Sequence, residues 1–145
     1  VDLVRVAQGA AADLAPLAIA AGYELALDAP TTPIETIGDA AALERALTNL
    51  VQNAIQHGPR RGTIGIRVGR PASIEVTDEG AGIPAEQREQ IFEPFYRLTP
   101  LDRGAGLGLN MVREIVHLHG GHVSVTDGPD GGACFRITLR PIPQG

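Results

Sequence analysis

The chain has 145 residues, 43% of them apolar and 3% aromatic, with no Trp and a formal net charge of −5. One domain of this length can bury a real core, which here must be built from Ala, Val, Leu and Ile rather than from rings. The acidic balance excludes the basic field that nucleic acid or an anionic membrane surface would need, so a polyanionic ligand must be met by locally gathered groups.

All 12 cationic side chains are Arg, and the chain contains no Lys. That excludes a Walker A loop, the strand lysine of eukaryotic-type protein kinases and Schiff-base chemistry. Cys134 is the sole cysteine, so no internal disulfide forms and a reducing compartment is favoured. The N-terminus shows no charged region followed by an apolar one, and no apolar run approaches the ~20 residues that span a bilayer. A soluble chain is expected.

In chain order, Leu3–Ala21 is Ala-rich and helix-prone, with Gly9 and Pro16 as weak points. Tyr23–Leu27 alternates and reads as a strand, as does Ile34–Ile37 after a Pro/Thr turn. Asp39 suits an N-cap. Beyond it, Leu43, Ala46, Leu47, Leu50, Val51, Ala54 and Ile55 follow helical i, i+3, i+4 spacing until His57-Gly58-Pro59 ends the run. Strands are predicted at Thr63–Val68 and Ser73–Thr77 around a Gly69–Ala72 turn. A shaped loop follows at Asp78–Pro84, then a short helix over Ala85–Ile91. Pro94–Gly108 is irregular, and Leu109–Leu118 is helical until Gly120-Gly121 stops it. Val123–Thr126 and Cys134–Leu139 form a final hairpin. Three helices and roughly five or six strands in mixed order imply an α+β two-layer sandwich, in one domain over residues 1–145.

Four groups of residues could carry chemistry. On the strongest helix, Arg45, Asn49, Asn53 and Gln56 make a polar stripe beside the apolar one. Asn is a mediocre helix former, and its amide oxygen suits Mg²⁺ that already holds phosphate; a plain solvated face is the alternative. In Asp78-Glu-Gly-Ala-Gly-Ile-Pro84, a carboxylate at a strand end can accept from an exocyclic amine such as adenine N6. The glycines let backbone lie against a flat ring, or the segment is simply a tight turn. Gly104-Ala-Gly-Leu-Gly-Leu109 leads into a helix, where backbone N–H groups can hold an anion without Lys. Phe92, Phe95 and Tyr96 gather three of the five aromatics, with Arg97 and Arg103 placed for bidentate phosphate contacts or for plain surface positions. His117, His119 and His122 straddle a helix end and are not read as a zinc site.

The order of NLVQNAIQH, DEGAGIP, IFEPFYR and GAGLGLNMVREIVHLHGG resembles the N, G1, F and G2 boxes of sensor histidine kinases, over about Asp39 to Leu139. The resemblance implies a Bergerat-type ATP-binding fold, a mixed five-stranded sheet backed by three helices with a short ATP lid at about Leu98–Arg103. It implies ATP and Mg²⁺ as ligands, with Asn53 on the metal and Asn49 on the phosphate side. Asp78 would hold the adenine amine, with Gly80, Gly82 and Ile83 along the ring. Phe92 and Phe95 would anchor the lid base, and Arg97 and Arg103 would meet the phosphates. Gly104, Ala105, Gly106, Leu107, Gly108 and Leu109 would form the far hinge.

Two departures from that pattern matter. Gln56 stands where a basic residue is usual, followed by His57 in place of an aromatic, so a phosphate contact is neutral unless His57 is charged. Ala133 stands where Thr is usual, which removes a hydrogen bond near the base.

Relatives on this fold that hydrolyse ATP carry a Glu one helical turn before the metal Asn. That position is Asn49 here, which implies transfer of the γ-phosphoryl group to a histidine rather than to water. The acceptor would sit on a separate dimerisation domain, with a response regulator downstream. By the same resemblance the fragment is cytoplasmic and monomeric and its parent dimeric and membrane-anchored. An anti-sigma-type serine kinase and an ATP-binding pseudokinase module are the rival readings.

Overall fold

A computed structural model describes residues 1–93, 107–129 and 131–142. Its elements are α1 (Leu3–Ala20), β1 (Glu24–Asp28), α2 (Ala40–His57), β2 (Thr63–Gly69), β3 (Ser73–Thr77), α3 (Leu107–Leu118), β4 (His122–Asp127) and β5 (Ala133–Thr138). The sheet runs β1-β2-β3-β5-β4, with β1 parallel to β2 and every other pairing antiparallel. The helices pack on one another and on the strands, giving the α+β two-layer arrangement with a mixed five-stranded sheet and three α-helices among the described residues.

Alternation decides which face of the sheet is covered. Ile64, Ile66 and Val68 of β2, Ile74 and Val76 of β3, and Phe135 and Ile137 of β5 are buried, while Arg67 and Arg136 between them stay exposed. Helix α2 turns its seven buried residues, Leu43 through Ile55, toward this layer. Fully burying each Val, Leu or Ile contributes roughly 1.5–3 kcal/mol. Asp39 caps the helix by accepting from the N–H groups of Ala41 (2.9 Å) and Ala42 (3.2 Å).

The end of α2 is set by Tyr23. Its hydroxyl donates to Ile55 O (3.3 Å) and accepts from Arg60 N (2.9 Å). The chain passes so close that a Cβ on Gly58 would collide with that hydroxyl and with Ala54 O. A ring at Tyr23 therefore turns the backbone out of the helix and toward β2.

Several expectations need correction. Ile34–Ile37 is not a strand: it makes isolated bridges, Glu35 with Asp2 and Thr36 with Pro141. Its backbone serves the chain ends instead, accepting from Leu3 N at Ile34 O and donating from Thr36 N to Val1 O. The helix predicted over Ala85–Ile91 is two 3₁₀ turns, Ala85–Gln87 and Gln90–Phe92, because only Ile91 and Phe92 offer an apolar anchor. Helix α3 begins at Leu107, so the last residues of the segment read as irregular are helical. Helix α1 continues through Pro16, and with a mean hydropathy of 1.3 over 18 residues it is long and apolar enough to cross a membrane by length and composition. Its Ala content raises that average, yet Leu3, Val4, Val6, Ala7, Ala10, Leu14 and Ala18 face the protein core.

Candidate functional site

The parity of β3 carries through to its end. Ile74 and Val76 point into the helical layer, so Asp78, two residues on, comes to the same side. There it lies opposite the start of β5, donating from its N–H to Ala133 O (3.1 Å). Its Oδ1 accepts from the backbone N–H groups of Gly80 (2.9 Å) and Ala133 (3.2 Å). Among the described residues no donor reaches Oδ2.

Glycines permit this packing at particular points. A Cβ on Gly132 would fall on the Asp78 carbonyl oxygen and 2.5 Å from Oδ1. Gly82 has φ +78°, a left-handed conformation in which a side chain is strained, and it lies against Gly131 O. Gly80 abuts Gly58 and Pro59 just past the end of α2, which brings the loop after β3 beneath that helix.

These elements enclose an open cleft of about 620 Å³, within the range of small-molecule sites. Asn53 and His57 line it from α2, Asp78, Gly80, Gly82 and Ile83 from the loop after β3, and Ala133 and Phe135 from β5. Seven residues singled out in the sequence therefore meet at one place: Asn53, His57, Asp78, Gly80, Gly82, Ile83 and Ala133. Asn53 has no hydrogen-bond partner among the described residues and is half-buried.

Other candidates lie elsewhere. Asn49 does not line the cleft; its amide nitrogen approaches Met111 Sδ at 4.0 Å, between α2 and α3. Phe92 is buried beneath the cleft wall, edge-on to Phe135 with ring centroids 6.1 Å apart and planes at 83°. Among the described residues nothing lies within 4 Å of where a Cβ on Gly108 would fall, and Leu109 is half-buried, both in the first turn of α3. Arg97, Arg103, Gly104, Ala105 and Gly106, with Phe95 and the lid segment, fall outside the described residues, as does the side chain of Leu107.

Two residues of the wall were missed. Arg88 and Asp127 also line the cleft and pair across it, with Nη2 to Oδ1 at 2.7 Å. No spacing in the sequence links positions so far apart in the chain. His119, meanwhile, is a structural residue. Its Nδ1 contacts Ile115 O (2.7 Å) and its Nε2 accepts from Asp39 N (3.0 Å), fastening the end of α3 to the start of α2.

Residues 38–143 match the family described as histidine kinase-, DNA gyrase B- and HSP90-like ATPase. The sensor histidine kinase GtrS of Pseudomonas aeruginosa is 40% identical over 116 residues, covering 74% of this chain and 24% of that protein. The signal transduction histidine-protein kinase/phosphatase MprB of Mycobacterium avium is 38% identical over 132 residues, covering 83% and 25%. The chain thus spans about a quarter of the length of these relatives. Among solved structures, a mycobacterial sensor histidine kinase MprB superposes with a TM-score of 0.85 at 32% identity, over 99% of this chain and 97% of that one. The ATP binding domain of PrrB from Mycobacterium tuberculosis superposes with a TM-score of 0.77 at 30% identity, over 99% and 96%.

Proposed function

The chain belongs to the histidine kinase-, DNA gyrase B- and HSP90-like ATPase family, and from that premise we propose that it binds Mg²⁺-ATP in the Asp78 cleft and presents the γ-phosphoryl group to a histidine on a dimerisation domain of its parent kinase. One observation carries the nucleotide reading. Asp78 holds its own loop in place with Oδ1 and keeps Oδ2 for an amine donor, beside backbone that glycines keep low enough for a flat ring.

The polar end of the ligand would extend past Asn53. Its unpartnered amide fits a single oxygen ligand to a magnesium ion whose other ligands are phosphate oxygens and water. Among the described residues no group of three or more His, Cys, Asp or Glu side chains could hold a metal ion. Bound Mg²⁺ would supply charge neutralisation at the phosphates. Arg97 and Arg103 would add guanidinium contacts there, and Gly104, Gly106 and Gly108 would let backbone N–H groups close on the phosphates.

Transfer is favoured over hydrolysis by Asn49. It stands one turn before Asn53, carries no base that could activate water, and is turned toward Met111. The partner would be the dimerisation domain, with a response regulator receiving the phosphoryl group afterwards, in the cytoplasmic part of a membrane-anchored dimeric parent. To test this, the chain is mixed with that dimerisation domain, Mg²⁺ and γ-labelled ATP. Acid-labile, base-stable label should appear on the acceptor and disappear with Asn53→Ala. Tight nucleotide binding without any transfer would instead identify a nucleotide-sensing module, and acid-stable label a serine kinase.

A further inference from the structure

We infer that Arg88 is a positioning residue that holds the base end of the cleft in shape. The inference rests on the nucleotide reading for its consequence but not for its geometry. Arg88 follows the first 3₁₀ turn after the glycine loop, and its side chain reaches back over that loop. Nε donates to Ile83 O at 3.0 Å, and Nη2 meets Asp127 Oδ1 at 2.7 Å. One guanidinium thereby joins the loop after β3 to the last residue of β4, two segments with no ladder between them. Ile83 directly follows Gly82, whose φ is +78°, and the N–H groups of Ala81, Gly82 and Ile83 make no backbone hydrogen bond among the described residues.

The two bonds differ in weight. Asp127 is largely exposed, its side chain 77% accessible, so the ion pair with it is a surface pair and stabilises little. The Arg88 side chain is only 28% accessible, and the carbonyl bond from Nε is partly buried. The fork geometry is what matters: Nε and Nη2 lie in one plane and serve both partners at once, which a Lys ammonium on a flexible stem does not reproduce. A charge that merely decorates the surface would be replaceable by Lys; a planar brace would not.

The test compares the native chain with Arg88→Ala, Arg88→Lys and Asp127→Asn. Amide hydrogen exchange in the nucleotide-free proteins reads the brace directly. Protection at Gly80 N, which donates to Asp78 Oδ1, and at Gln87 N, which donates to Pro84 O, should fall in both Arg88 variants, while α2 and the central strands keep theirs. Asp127→Asn, which retains an acceptor for Nη2, should leave the loop unchanged. Calorimetry with ADP and ATP should then show both Arg88 variants weakened by roughly tenfold, the scale of ordering a short loop on binding. The loss should be equal for the two nucleotides, because the brace lies at the base end. Unchanged exchange in Arg88→Ala, or native behaviour of Arg88→Lys, would overturn the inference. A native chain that binds no nucleotide while Arg88→Ala loses loop protection would sink the nucleotide reading and leave the brace standing.

Discussion

Replacing Asp78 by Asn separates recognition from folding. The side chains are nearly the same shape, and in the native protein Oδ1 accepts from Gly80 N and Ala133 N. An Asn oriented with its oxygen at that place keeps both bonds. The flipped orientation would set two amide hydrogens against two backbone donors and is disfavoured. The new NH₂ group therefore occupies the position of Oδ2, where, on the nucleotide reading proposed above, a donor would face the adenine amine donor. Hydrogen bonds to charged groups contribute about 1.5–3 kcal/mol, and each 1.4 kcal/mol is a factor of about ten in affinity. ATP binding should weaken by ten- to a hundred-fold or more, measured by calorimetry with Mg²⁺ present. The melting temperature should move by only a few degrees, at about 2–4 °C per kcal/mol for a chain near this size. Guanine presents an acceptor, O6, where adenine presents its amine, so the preference for ATP over GTP should narrow in the same variant. Unchanged ATP affinity, or equal losses for both nucleotides, would refute the assignment of Asp78 to the base.

Gly132→Ala should abolish nucleotide binding and lower stability, because its Cβ would displace the Asp78 backbone rather than a flexible side chain; chemical denaturation alongside calorimetry would check both effects, and a native-like variant would contradict the packing described. On the open face of the sheet, burial raises the Cys134 thiol pKa and the Glu75 carboxylate raises it further. Less thiolate is then present at a given pH, so the rate of iodoacetamide alkylation should rise with pH through a higher midpoint in the folded chain than in the same chain in guanidinium. Glu75→Gln should lower that midpoint; a folded midpoint at or below the unfolded one would count against the account.

The helical periodicity of Leu43–Ile55 and the alternation of Ile64, Ile66, Ile74 and Val76 were readable because each reflects burial of one face of a local element. Motif order pointed to the family for a related reason: each box is local, and its glycines and carboxylates keep their spacing whatever surrounds them. The segment Ile34–Ile37 misled because its alternation is real but its partners are the chain ends, far off in sequence.

Local chemistry thus determined that α2 is a helix with Asn53 on its polar side, that Asp78 ends a strand, and that the loop beyond it needs glycine. The tertiary structure decided what those residues face. It placed Asp78 Oδ1 on two backbone donors, turned Asn49 toward Met111 while leaving Asn53 on the cleft, committed His119 to Asp39, and brought Arg88 onto Ile83 and Asp127. Such contacts depend on how layers meet in space, and a hydrogen bond between residues 39 or 55 positions apart leaves no period in the chain that forms it.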